Sequence, residues 1–336
     1  MKISVVIISK ENRKSLNDTL ETFSFFYRNR DIEIVVVEAT EEKEFNFEGI
    51  KYIKIPLVEA GFSAQRNIGV KNASGDLIVF IDDDVIVTEK WFDNLLNTFS
   101  KEPDLVGVSG AVFPYNPSIV GFCEGVMGHP GGGFRLHNSA NGKIIKLSQV
   151  STCNTGFKKL VIEQVNYFDE KVKYGIEDTD ISIRITKKFG KDKFGYNPEA
   201  VVFHKPRNRI SKIIPWYIRR GRSDTILLLK HHSHIKYVIS SSILLKLIFV
   251  LLIGLINFSL IFWFGIVWYL WQLIKHRFMF KYFFLYNFSF SKRITTFFIF
   301  PFIKFIADLF FDFGRIIQFV IGIIKSNIKN QNENSK

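Results

Sequence analysis

The sequence predicts an α/β fold: an open, mostly parallel sheet with helices on both faces, followed by a C-terminal helical membrane region. Three observations carry this expectation. Short β-branched runs alternate with segments of helical periodicity through the first 205 residues. Polar and acidic residues stand directly after three of those runs. Basic and apolar residues concentrate from Pro206 onward, where 19 Lys and Arg face 4 Asp and Glu, a net of +15; the preceding part holds 26 bases against 28 acids.

Taken in order, Ser4-Val5-Val6-Ile7-Ile8 and Glu33-Ile34-Val35-Val36-Val37 read as buried strands. Leu16, Leu20 and Phe23 recur between them at helical spacing. A third strand near Tyr52 to Ile55 leads to a helix beginning around Ser63. Leu77 to Ile81 forms a fourth apolar strand that runs into Asp82-Asp83-Asp84. A helix near Trp91 to Phe99 and a strand near Val106 to Val108 follow. Strand, helix, strand in this order implies parallel pairing through right-handed crossovers. Such sheets bind ligands at the carboxyl ends of their strands, and those ends carry Ser9, Glu38 and Asp82.

Further along, His129-Pro130-Gly131-Gly132-Gly133 reads as a mobile loop, either a surface connector or a substrate-covering lid. Glu177 to Lys188 has a helical pattern, and Ala200 to His204 forms a last strand. From Leu247 to Ile274 no residue is charged. As one helix this stretch would measure about 42 Å, against a hydrocarbon core of about 30 Å. It predicts one long tilted span, or a hairpin starting near Tyr237 and turning at Asn257-Phe258-Ser259. In Ile294 to Ile324, Lys304, Asp308, Asp312 and Arg315 make one narrow polar stripe. That pattern suits a helix lying in the membrane interface or against the first span; a full span with the stripe buried is the competing arrangement. The expected division is therefore a cytosolic domain over 1–210, a basic juxtamembrane segment over 211–236, a span or hairpin over 237–275, an interfacial or transmembrane segment over 276–326, and a polar tail over 327–336.

The basic excess flanks apolar segments. It fits anionic lipid headgroups and a cytoplasmic positive bias rather than nucleic acid. Cys123 and Cys153 have no metal-ligand spacing and read as ordinary buried thiols in a reducing compartment. The N-terminus shows no signal-peptide pattern. A catalytic domain on the cytoplasmic side of the cell membrane is the expectation.

Three aspartates at the end of a buried strand suit a hard divalent cation, Mn²⁺ or Mg²⁺, which takes oxygen ligands and leaves positions for phosphate. A solvated acidic turn is the alternative, and the apolar strand aiming these groups at the ligand crevice favours the metal.

The stretches "SVVIISKENRKSLNDTL", "EIVVVEAT", "SAQRNIGVKNASGDLIVFIDDDV", "CNTGFKK", "GIEDTDISIRITKK" and "VVFHKP" resemble, in order, family 2 glycosyltransferases. These are inverting enzymes with a GT-A fold, and the resemblance spans about the first 205 residues. It implies a DXD motif at Asp82 and Asp84, with Asp84 a metal ligand, Asp82 shared between metal and ribose, and Asp83 between them. His204 would complete the metal site. Ser9, Glu38, Arg66 and Asn67 would contact the nucleotide-sugar; Arg66 suits a phosphate or base edge because its guanidinium donates in a fixed fork. Glu38 stands where the family usually has aspartate, and the usual proline after the first strand is missing. Glu177 and Asp178 match the ED motif, with Asp178 the general base toward the acceptor hydroxyl; on residues alone, acids favouring a helix N-terminus explain them equally. Asn154 matches a segment near donor and acceptor. Beyond the match, Arg219, Arg220 and Arg222 read as a diphosphate or lipid-phosphate clamp, or as interfacial anchors, the second being favoured.

The expected function is sugar transfer from a nucleotide-diphosphate sugar to a lipid-linked or glycan acceptor at the membrane face, a polyprenyl-linked saccharide ahead of polyprenyl phosphate itself. A sugar-phosphate nucleotidyltransferase and a non-catalytic membrane scaffold are the alternatives from other classes.

Overall fold

The computed structural model describes residues 2–28, 30–43, 48–172 and 175–334, with side chains described through Lys325. The chain divides into two compact units. The first comprises 1–117, 124–173 and 177–206; the second comprises 118–123, 174–176 and 207–336.

In the first unit the elements run β1 Ile3–Lys10, α1 Arg13–Tyr27, β2 Glu33–Ala39, β3 Ile50–Ile55, α2 Phe62–Asn72, β4 Leu77–Asp82, β5 Val85–Val87, α3 Trp91–Lys101 and β6 Gly107–Pro114. A helix α4, Ile119–Met127, carries the chain across the division. Then come α5 Gly133–Ala140, β7 Ile145–Leu147, β8 Asn154–Lys158, α6 Lys159–Gln164, α7 Glu177–Phe189 and β9 Phe194–His204. The strands join in one sheet in the order β3-β2-β1-β4-β8-β6-β9-β5, with β7 beside β9.

Period-2 alternation sorts the strand side chains onto two faces. Val5 and Ile7 of β1 pack with Leu16 and Leu20 of α1 and Trp91 and Leu95 of α3. Val6 and Ile8 pack with Val70 of α2, Val161 and Ile162 of α6, and Ile181 and Ile185 of α7. Helices thus cover both faces, as the strand–helix alternation requires. The first four strands in the order are parallel. The second half is mixed: β8 runs antiparallel between β4 and β6, while β6 and β9 are parallel. Local periodicity carries no information about that inserted strand.

Strand β6 begins at Gly107 and is longer than the run near Val106 to Val108 suggests. Its small residues weaken the β signal, yet one is required: a Cβ on Gly110 would meet the Ala200 carbonyl oxygen at 2.1 Å. The His129–Gly133 segment, expected to be a mobile loop, is a half-buried turn tied by His129 N–H to Glu124 O at 3.1 Å and Gly133 N–H to Pro130 O at 3.0 Å.

The second unit holds α8 Ile210–Lys230, α9 Ile235–Ser241, α10 Ile243–Gly254, α11 Ser259–Lys275 and α12 Phe290–Asn334. The uncharged stretch is therefore two helices, broken around Asn257, and not one long span. Gly221 and Gly314 let α8 and α12 cross closely: a Cβ on Gly314 would lie 2.1 Å from the Ile218 carbonyl oxygen. Half of the expected polar stripe turns into this contact. Arg315 bonds Asp224 through Nε and Asp312 through Nη1, at 2.8 and 2.7 Å, and Asp312 accepts from Ser242 Oγ at 2.9 Å. Lys304 and Asp308 pair with each other at 2.6 Å. The stripe's charged groups are matched within the protein, the arrangement expected where such a stripe packs against another helix. Phe290–Lys325 is long and apolar enough to cross a membrane; His232–Ser241 and Ile243–Gly254, bent by 54°, would count as a second such segment only if they form one span. Residues 335–336 of the expected polar tail lie outside the described residues, as do the side chains of the rest of it.

Candidate active site

Backbone register brings the polar strand ends together. The β1–β4 ladder sets Ile8 opposite Asp82, and the β1–β2 ladder sets Ser9 opposite Glu38. The β5–β9 ladder sets Val85 opposite His204, and Lys205 N–H donates to Asp84 O at 3.0 Å. The antiparallel β4–β8 ladder ends with Ile81 opposite Asn154, which carries Cys153 to the level of Asp82. Helix α2 fastens the first two strand ends, since Gln65 Nε2 donates to Ser9 O at 2.7 Å and to Val37 O at 3.0 Å.

His204 Nε2 lies 3.0 Å from Asp84 Oδ1 and 3.7 Å from Asp82 Oδ2. Burial disfavours the charged ring, but Asp84 and Asp82 outweigh it and push its pKa up to about 10. Asp82 is likewise opposed by burial, and its pKa is held below the ordinary value by His204 and Arg66. Asp83 donates no help to this pairing. It accepts from Ser9 Oγ at 2.6 Å, and burial with the adjoining Asp84 pushes its pKa up to about 7. Burial, then Asp82 and Asp84, raise the Cys153 thiol well above its usual value.

The donor set fits a divalent cation. His204 Nδ1 is 2.9 Å from the Lys205 carbonyl, which can only accept, so the other ring nitrogen faces the carboxylates. Among the described residues, ligand atoms of Asp82, Cys153 and His204 lie within 4.8 Å of one another. Asp82, Asp84 and His204 are brought together as their motifs imply. Cys153 joins them, and the sequence reading missed it; the signal lay in its position one residue before the strand that pairs with β4.

Other expected site residues have different partners. Arg66 is buried; its guanidinium contacts Glu177 and lies 3.5 Å from Asp82 Oδ1, with the rings of Phe62 and Phe168 beside it. It ties the β4 end to the first turn of α7. Glu177, expected beside the base as a catalytic group, is buried in this contact, and burial raises its pKa while Arg66 opposes that. Asp178 is half-exposed on the same turn and accepts from Thr179 N–H at 2.7 Å. Asn67, expected at the nucleotide, instead clasps the segment after α6: it donates to Phe168 O and Glu170 Oε1 and accepts from Phe168 N–H, each at 2.9 Å. Asn154 is fully buried. It accepts from Trp91 Nε1 at 2.7 Å and donates to Ala111 O and Ala200 O at 3.0 Å, bracing α3, β6, β8 and β9. Its hydrogen bonds go to the protein, and it is no acceptor contact.

Glu38 is fully buried and accepts from Arg13 Nη2 at 2.6 Å and from the Tyr52 hydroxyl, through one oxygen; its other oxygen has no hydrogen-bond partner among the described residues. Arg219, Arg220 and Arg222 lie on α8 in the second unit. Arg220 stacks on Trp216 at 4.8 Å, and Arg222 Nε donates to Gln318 at 3.3 Å.

An open α/β sheet with Asp82, Asp84 and His204 gathered at one strand end is the arrangement observed, and residues 4–124 match the family profile described as Glycosyl transferase family 2. That match covers about a third of the chain. A stretch of 123 residues is 31% identical to the "Glucosyl-dolichyl phosphate glucuronosyltransferase" of Haloferax volcanii, covering 34% of this chain and 39% of that protein. Another of 157 residues is 29% identical to the "Minor teichoic acid biosynthesis protein GgaB" of Bacillus subtilis, covering 44% of this chain and 15% of that protein. The chain thus matches well under half the length of either relative. Among solved structures, a mannosyltransferase from Pyrobaculum calidifontis, in complex with GDP-Man and Mn²⁺, superposes with a TM-score of 0.48 at 16% identity, over 67% of this chain and 62% of that one.

Proposed function

We propose that this protein is an inverting glycosyltransferase that moves a sugar from a nucleotide-diphosphate sugar to a polyprenyl-linked saccharide at the cytoplasmic membrane face. The observation that carries the reading is the convergence of Asp82, Asp84 and His204 at the carboxyl end of β4, inside a family 2 domain. Mn²⁺ or Mg²⁺ held there by these three residues would supply positive charge against the diphosphate. Ser9 and Asp83 line the same strand ends and suit the nucleotide side. Arg66 holds the acidic strand end and the α7 turn in register, and so positions Asp178 relative to the donor side. Asp178, half-exposed at the start of α7, takes the proton from the acceptor hydroxyl as that oxygen attacks the anomeric carbon. Attack opposite the departing nucleoside diphosphate inverts the configuration.

The Haloferax relative, by its name, acts on a dolichyl-linked sugar. That supports a lipid-linked saccharide acceptor, with polyprenyl phosphate itself as the second reading. The long apolar helix Phe290–Lys325 supports membrane anchoring, which confines enzyme and acceptor to one surface. Incubation with a panel of nucleotide-sugars and a lipid-linked acceptor, with mass analysis of the released nucleotide, tests the reaction class. Nucleoside diphosphate is expected. Release of pyrophosphate identifies a nucleotidyltransferase instead.

A further inference from the structure

Cys153 has no part in the transfer chemistry, yet it is buried at the acidic cluster. The β4–β8 register carries it beside Asp82, and its sulfur, an Asp82 oxygen and a His204 nitrogen are mutually within 4.8 Å. Two atoms bound to one zinc-like ion lie at most the sum of their bond lengths apart, about 4.4 Å for sulfur with nitrogen. At tetrahedral angles the sulfur and nitrogen of one ion lie about 3.6 Å apart, so closing the set takes side-chain movement of up to about 1 Å. Carboxylates alone favour hard ions; an imidazole nitrogen and a thiolate sulfur move preference toward Zn²⁺ and Co²⁺.

We propose that Cys153 is a thiolate ligand of this cation site and sets its ion preference toward thiophilic divalent cations over Mg²⁺. The inference rests on the reading of Asp82, Asp84 and His204 as the metal side of a transfer site. On binding, the S–H bond breaks, its proton leaves to solvent, and the sulfur lone pair forms the bond to the ion, with no change of oxidation state.

The test uses the full-length, detergent-solubilised protein and its C123A, C153A and C153S variants, titrated with Co²⁺. Near-ultraviolet absorption and calorimetry are recorded for each. Cys123 is the other cysteine of the chain and lies in the second unit, so C123A is the internal control. Wild type and C123A are expected to develop a sulfur-to-cobalt charge-transfer band. C153A and C153S lose it and bind Co²⁺ at least about tenfold more weakly, and Zn²⁺ displaces Co²⁺ where equimolar Mg²⁺ does not. Wild-type Co²⁺ binding with no such band, or a band that persists in C153S, overturns the thiolate assignment and leaves the metal reading standing. Failure of wild type to bind any divalent ion overturns both.

Discussion

Arg66 is 4% exposed, yet its guanidinium meets carboxylates from two different elements, Asp82 and Glu177. Removing one partner of a buried pair leaves an uncompensated charge, which costs about 3–5 kcal/mol. Arg66→Ala is expected to destabilise by that order in urea unfolding, and adding Glu177→Gln is expected to restore part of the loss. A double variant no more stable than Arg66→Ala would contradict the pairing. The segment around Arg66 and Asn67 was legible as belonging to the site. The direction of these side chains was not, because their partners lie 111 and 101 residues away in sequence. The ED motif divides for the same reason: Glu177 turns inward to Arg66, and Asp178 stays accessible.

Among the elements, β8 decides most of what the sequence left hidden. Apolar periodicity located β1, β2, β4 and their helices, and so Ser9, Glu38 and Asp82 at the strand ends. It could not place an antiparallel strand between β4 and β6, and therefore missed Cys153 at the metal cluster and Asn154 as a brace. Asn154→Ala removes three hydrogen bonds and leaves the buried Trp91 N–H unpaired, a loss of about 2–4 kcal/mol. Thermal unfolding of the variant checks this, and a change under about 0.5 kcal/mol, the range of ordinary surface substitutions, would contradict it. At the amino ends of β1 and β2, Glu33 accepts from Ser4 Oγ and from Ser74 N–H at 2.7 Å. Burial opposes its ionisation, but these bonds outweigh it and hold its pKa below 4.5. A depressed folded pKa gives stability that is present above pH 4.5 and lost as pH falls through the folded value. Glu33→Gln is expected to be less stable than wild type near pH 7, with the gap narrowing as pH falls below 4.5. A constant gap in urea midpoint across that range would contradict the linkage.

For the whole molecule, composition announced a near-neutral first part and a basic, apolar second part, and the two compact units divide close to Pro206. The break between α10 and α11 was legible in the polar Asn257-Phe258-Ser259, while the break at Ser242 was not, because apolar residues run on either side of it. The close α8–α12 crossing depends on Gly221 and Gly314, 93 positions apart in sequence, whose pairing no local pattern reveals. With Phe290–Lys325 long enough to span, the protein is expected to remain in the membrane pellet after high-salt and carbonate washes and to be released by detergent. Release by salt alone would show that charge, not insertion, holds it. The central claim is a division of labour, with Asp82, Asp84 and His204 on the donor side and Asp178 on the acceptor side. The most direct measurement is the transfer rate of Asp178→Asn with saturating nucleotide-sugar and lipid-linked acceptor, beside its donor affinity. A fall of about 10²–10⁴ in turnover with donor affinity unchanged is predicted; turnover equal to wild type would contradict the account.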